Sequence, residues 1–206
     1  MTETDRSNLV TCAGLGMLSG GIAWALIMLL GNDSSAGILR GTQFEVSTLT
    51  VLPGLTFGLM IGVLWHRRET ISRLGLLGYT LAAGAAYFIS FHIAVNVFDR
   101  LSGSLRDDVA LVVSGIIAGL IGCCFLGVVT AYLLRVPYQS ALGLPVLVGG
   151  TVGAFLPLIN LPSDGGFLVF LVLWQGAYAA SLVRLLRPAT AGLTRAVTMG
   201  VGKSRA

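Results

Sequence analysis

The chain has 206 residues, 55% of them hydrophobic and 11% charged, with a formal net charge of +4 and a mean hydropathy of +0.87. That balance excludes an ordinary soluble domain. The positive charge lies between apolar runs, where membrane topology accounts for it, so it points to no nucleic acid.

Six apolar runs follow one another, at about residues 9–30, 45–65, 75–97, 109–134, 143–160 and 166–186. Crossing a hydrocarbon layer takes about 20 apolar residues at a rise of ~1.5 Å each. Lipid offers backbone groups no hydrogen bonds, so a spanning segment is a helix or part of a closed barrel. Barrel strands alternate over about ten residues, and these runs do not. The expected fold is all-α: a polytopic six-helix transmembrane bundle, with residues 1–206 forming one integral-membrane domain.

The first run follows a Met-Thr-Glu-Thr-Asp-Arg start without a basic region, and is too long for a signal-peptide core; it reads as an uncleaved anchor. It carries Cys12, expected to act as a small apolar residue or an acylation site, and the pair Gly16 and Gly20. The second run holds Thr50, Pro53 and the stripe Gly54, Gly58 and Gly62. Glycine stripes let helices approach closely in lipid, where no hydrophobic force draws them together. This one serves either packing inside the bundle or a homodimer seam. Trp65, at the end of the run, suits an interfacial aromatic belt.

In the third run Gly78, Ala82, Ala85, Ile89, His92 and Asn96 recur at steps of four and three, which puts them on one face. His and Asn facing lipid are costly, so this face is expected to point inward. The fourth run brings Gly115, Gly119 and the adjacent Cys123 and Cys124. No cysteine falls in an outer loop, so no disulfide framework is expected. The fifth is short and interrupted by Pro145, Gly149–Gly150 and Pro157, with Gly153 continuing its small stripe. The sixth centres on Gln175, flanked by Trp174, Gly176 and Tyr178.

If the amino terminus is cytoplasmic, the inner side holds Arg6, Arg67, Arg68, Arg73, Arg135, Arg184, Arg187, Arg195, Lys203 and Arg205, against Arg40, Arg100 and Arg106 outside. Asp33, Glu45, Asp99, Asp107, Asp108 and Asp164 then lie outside. That is the asymmetry of the positive-inside rule, and it predicts both termini inside, in a cell membrane of the bacterial inner-membrane type. Pro53 and Pro145, Gly58 and Gly150, and Gly84 and Gly176 each stand 92 residues apart. The echo suggests a 3+3 inverted repeat, an architecture used by many transporters.

His92 is the one readily titrating side chain inside the runs, and an intramembrane ionisable group is a functional candidate. Asn96 and Gln175 could join it in a polar path, or each could simply bind a neighbouring helix. Enzyme chemistry is not expected. His66 lies at a run's end, so no haem pair forms; the Cys and His residues occupy different depths, so no metal site is expected. No phosphate-binding loop appears. Ser114-Gly115, with His92 and Asn96, resembles the motifs of rhomboid proteases, but Val112 stands where that family's Gly-x-Ser-Gly has its first glycine, so this chemistry is not expected. No cofactor is expected.

Two functions remain. One is transport or conduction of a small solute along a weakly polar path of His92, Asn96 and Gln175. The other is a non-catalytic membrane subunit or assembly factor. Expected partners are the lipid bilayer and either a second copy or another membrane protein.

Overall fold

The structure, a computed structural model, describes residues 3–30, 47–161 and 165–186. The charges at Asp33, Arg40, Glu45, Asp164, Arg187, Arg195, Lys203 and Arg205 lie outside the described residues. The helices are α1 (Glu3–Leu30), α2 (Thr48–Arg67), α3 (Arg73–Leu101), α4 (Asp107–Leu134), α5 (Tyr138–Gly153) and α6 (Gly165–Ser181). Short 3-10 segments, Leu156–Asn160 and Leu182–Leu186, extend α5 and α6. Among the described residues there is no strand. Six segments are long and apolar enough to cross a membrane, α5 together with its 3-10 extension. They suggest a multi-pass membrane protein.

Local chemistry sets the helix ends. Ser47 precedes α2, and the Thr50 hydroxyl accepts its backbone N–H at 2.9 Å. Ser72 precedes α3 and takes the Gly75 N–H at 3.1 Å. Both satisfy donors that a helix start leaves orphaned. α1 begins earlier than its apolar run because Glu3 and Asp5 favour the positive end of the helix dipole. Arg135 ends α4 in the left-handed region at φ 53°, and Pro137 prevents the helix from continuing. In the α2–α3 loop His66 Nδ1 meets the Ile71 carbonyl at 3.0 Å. Arg68 there donates to Asn8 Oδ1 at 2.8 Å, which places the start of α1 at the same end of the bundle as that loop.

The helices form a closed ring in chain order, with α6 returning to α1. The closest seams are α1–α6, α2–α3 and α4–α5, and glycine makes each of them. A methyl carbon added at Gly54 would stand 2.7 Å from Tyr87 Cβ, one at Gly58 2.7 Å from Ala83 Cβ, and one at Gly62 2.6 Å from Leu76 Cδ1, all on α3. Gly115 and Gly119 of α4 face the backbone of Gly153 and Gly149 of α5, which face back. Gly16 and Gly20 of α1 meet the α6 backbone at Gln175 and Leu171. Such approaches bring Cα–H groups against facing carbonyls, adding weak hydrogen bonds to dispersion. Pro145 also fits this scheme. It leaves the Ala141 carbonyl without its helical donor, and that oxygen faces Gly127 of α4, 2.8 Å from where a methyl carbon would sit.

Three sequence expectations change. On α3 it is Tyr79, Ala83, Ala86, Tyr87 and Ser90 that turn inward, while Gly78, Ala85 and Ile89 are exposed. Only the His92 end of the expected seam is buried. The helix carries small residues on two faces, and the face that also holds two aromatic rings buries more apolar area. Trp65 is not in an interfacial belt: it is 1% exposed, its ring 4.7 Å from that of Tyr79. The echoed glycines do not play equivalent parts. Gly58 meets α3 whereas Gly150 meets Leu120 of α4, and Gly84 meets α2 whereas Gly176 meets α1. A 3+3 repeat would send Gly150 to α6 and Gly176 to α5. The tight seams therefore alternate around the ring rather than repeat by halves.

Candidate functional site

Gln175 is the polar centre of the bundle. It lies on the inward face of α6, fully buried, one turn after Leu171 and one before Ala179, where Gly16 and Gly20 bring α1 close. Its Nε2 donates to the Pro53 carbonyl of α2 at 2.8 Å. Its Oε1 accepts from the Ser19 hydroxyl of α1, which also lies 2.7 Å from the Gly16 carbonyl of its own helix. The carbonyl of Pro53 can only accept, which fixes the amide's orientation. One side chain thus ties three helices. Pro53 removes the donor for the Leu49 carbonyl, but Gln175 takes the carbonyl of Pro53 itself, joined there by the Thr56 hydroxyl at 3.1 Å.

An aromatic core fills the ring beside this node. Phe57 and Tyr178 stand 5.6 Å apart between α2 and α6, Tyr87 and Trp174 5.8 Å apart between α3 and α6, and Trp174 and Tyr178 6.3 Å apart along α6. Within this core the hydroxyls of Tyr79 and Tyr178 are buried without a hydrogen-bond partner among the described residues. Tyr178 neighbours Tyr79 and Cys123, and Tyr79 lies beside Thr130. The Thr130 hydroxyl donates to the Leu126 carbonyl at 2.8 Å, so it offers the phenol at most a lone pair. A polar group left unpaired in an apolar interior costs on the order of 1–3 kcal/mol.

His92 and Asn96 sit apart from the node. His92 is buried, its ring edge-on to Phe88 at 4.4 Å and to Phe91 at 5.8 Å. Asn96 donates to the His92 backbone carbonyl at 2.8 Å, a bond within α3. The hydrogen bonds of Gln175 go to α1 and α2, so these bonds do not draw the three residues into one wall. A cavity of about 90 Å³ opens among α3, α4, the end of α5 and α6, and none of the three lines it. Its walls are almost wholly apolar, Tyr87, Phe91, Phe170 and Trp174 among them.

Cys12 and Cys123 are buried and Cys124 is exposed, all as free thiols. No group of three His, Cys, Asp or Glu residues close enough to hold a metal occurs among the described residues. The mixed charges of the α3–α4 loop form one exposed pair, Arg106 with Asp108 at 3.0 Å, worth ~0–1 kcal/mol.

Sequence reasoning singled out Gln175 but missed its partners. Ser19 was legible in principle: it shares the small face of Gly16 and Gly20, and a midspan amide needs a donor or acceptor on such a face. Tyr79 and Tyr178 carried no signal, because an aromatic residue in an apolar run reads as core.

No protein-family model matches the chain, and no curated protein or solved structure matches it either.

Proposed function

We propose that the chain is a non-catalytic, multi-pass subunit or assembly factor of a larger membrane complex, with both termini on the cytoplasmic side of a bacterial-type inner membrane. The observation that carries this reading is the Gln175 node. Its amide donates to Pro53 and accepts from Ser19, a static joint between helices rather than a wall exposed to a solute. The aromatic core and the glycine seams are likewise committed to holding the bundle together. The described arginines of the inner side, Arg6, Arg67, Arg68, Arg73, Arg135 and Arg184, support the orientation.

The partner docks on the outward face of α3, where Gly78, Ala82 and Ala85 leave room for close approach between Leu74, Leu77 and Leu81. The glycines of α2 are unavailable for this, being closed against α3. Purification in mild detergent tests the reading: a stoichiometric membrane partner is expected, and a clean monomer contradicts it.

Transport of a small uncharged solute is the second reading, favoured by the unpaired Tyr178 hydroxyl. It requires solute flux in reconstituted vesicles that falls in Gln175→Leu and His92→Ala.

A further inference from the structure

We propose that the apolar cavity near the end of the bundle that carries the α3–α4 loop is a binding site for one acyl chain of a membrane phospholipid. The site is built by the break in α5. Helix α5 stops at Gly153 and the chain continues as the 3-10 segment Leu156–Asn160, which packs against α6 and α4 and puts Leu156 and Ile159 at the wall of the space. Gly115, Gly119 and Gly153 line the space on one side, where their missing side chains leave α4 and α5 in backbone contact, and Phe91, Phe170 and Trp174 line the other.

Size and chemistry select the occupant. About 90 Å³ would hold roughly three waters at ~30 Å³ each, but a water needs 2–4 polar partners. The Ser90 hydroxyl at the wall donates to the Ala86 carbonyl at 2.7 Å, and the surface facing the space is almost wholly apolar despite the polar atoms of Tyr87 and Trp174. The space is narrower than the ~150 Å³ enclosed cavity that accepts benzene, and the end of a flexible chain fits it. The lining residues Phe91, Ala94, Leu156, Ile159 and Phe167 are themselves only half-buried, so the space opens to the outside of the bundle. A chain can therefore enter sideways while its headgroup stays at the membrane surface. The proposal rests on the reading that the bundle lies in a bilayer, and its test reports on that separately.

The test is photolabelling of the full-length protein in phosphatidylcholine vesicles that contain a phospholipid with a diazirine on its acyl chain, with adducts mapped by mass spectrometry. Adducts are expected on Phe167, Phe170 or Trp174 inside the cavity, as well as on outward Leu18 and Leu147. Ala94→Phe and, from the opposite wall, Ala118→Leu should reduce the cavity adducts roughly tenfold, equivalent to ~1.4 kcal/mol, and leave the outward ones unchanged. Adducts on outward residues alone overturn the site. Cavity labelling by a diazirine fatty acid but not by the phospholipid overturns the assignment of the occupant. Adducts on neither set overturn the bilayer reading along with the site. A second measurement needs no filling variant: with Trp24 and Trp65 changed to Phe, Trp174 fluorescence should be quenched by phospholipid brominated on the acyl chain, and unquenched Trp174 emission contradicts the proposal.

Discussion

The side-chain amide of Gln175 donates to the backbone carbonyl of Pro53 across 2.8 Å and 122 residues of sequence. With Ser19 on the other side of the same amide, this contact fastens α1, α2 and α6 at one buried point. Interhelical hydrogen bonds in membrane proteins contribute ~0.6 kcal/mol on average and at most ~1.7. Gln175→Leu should therefore lower stability by about 1–2 kcal/mol without abolishing folding. A double-mutant cycle with Ser19→Ala, measured by unfolding in mixed micelles, should give a coupling of ~0.5–1.5 kcal/mol. Strict additivity would mean that Ser19 and Gln175 do not interact.

Glycine substitutions should separate by face. At Gly119 a methyl carbon would stand 2.8 Å from the Gly149 carbonyl carbon, where neither backbone can retreat without opening the α4–α5 seam. Gly119→Ala should cost about 2 kcal/mol or more. At Gly78 nothing lies within 4 Å, so Gly78→Ala should be neutral or stabilise the helix by roughly 0.5–1 kcal/mol. Thermal melts of the two variants in one detergent decide the matter, and equal losses would contradict the helix pairing.

Tyr178→Phe is expected to behave unlike most tyrosine deletions. Its hydroxyl has no partner among the described residues, and removing an unpaired polar atom relieves a penalty on the order of 1–3 kcal/mol. Stability should hold or rise. A loss of more than about 1 kcal/mol would show that a water or solute pairs with the phenol, and would favour the transport reading.

The turn between α4 and α5 offers a local check. Arg135 holds φ at 53°, a conformation that costs a side-chain-bearing residue roughly 1 kcal/mol and glycine almost nothing. Arg135→Gly should stabilise the bundle by up to ~1 kcal/mol. Destabilisation would mean that the guanidinium contributes more than the backbone strain removes.

Much of the fold was legible because lipid imposes a simple rule. A long apolar run must be a helix, and proline or serine at its margin marks the end; the runs found by composition fall on the six helices. Which face of a helix turns inward was not legible for α3. In water, polarity separates the two faces, but in lipid both are apolar, and Gly78–Ala82–Ala85 competed with Tyr79–Ala83–Ala86. Packing decided it, through the glycines of α2 that only the second face could meet. The 92-residue echo misled for a related reason: chains rich in glycine place it on many faces, so matched spacing does not imply a matched neighbour. Gln175 stood out in the sequence because an amide at midspan is rare, while its acceptor, a backbone carbonyl at Pro53, has no sequence signature at all.

The most direct test of the account is the mass of the protein purified in mild detergent, by light scattering, for wild type and for Ala85→Phe on the outward face of α3. A stoichiometric complex with another membrane protein is expected, lost in Ala85→Phe while the melting temperature of the bundle stays unchanged. A wild-type protein that runs as a monomer, or a complex that Ala85→Phe leaves intact, would contradict it.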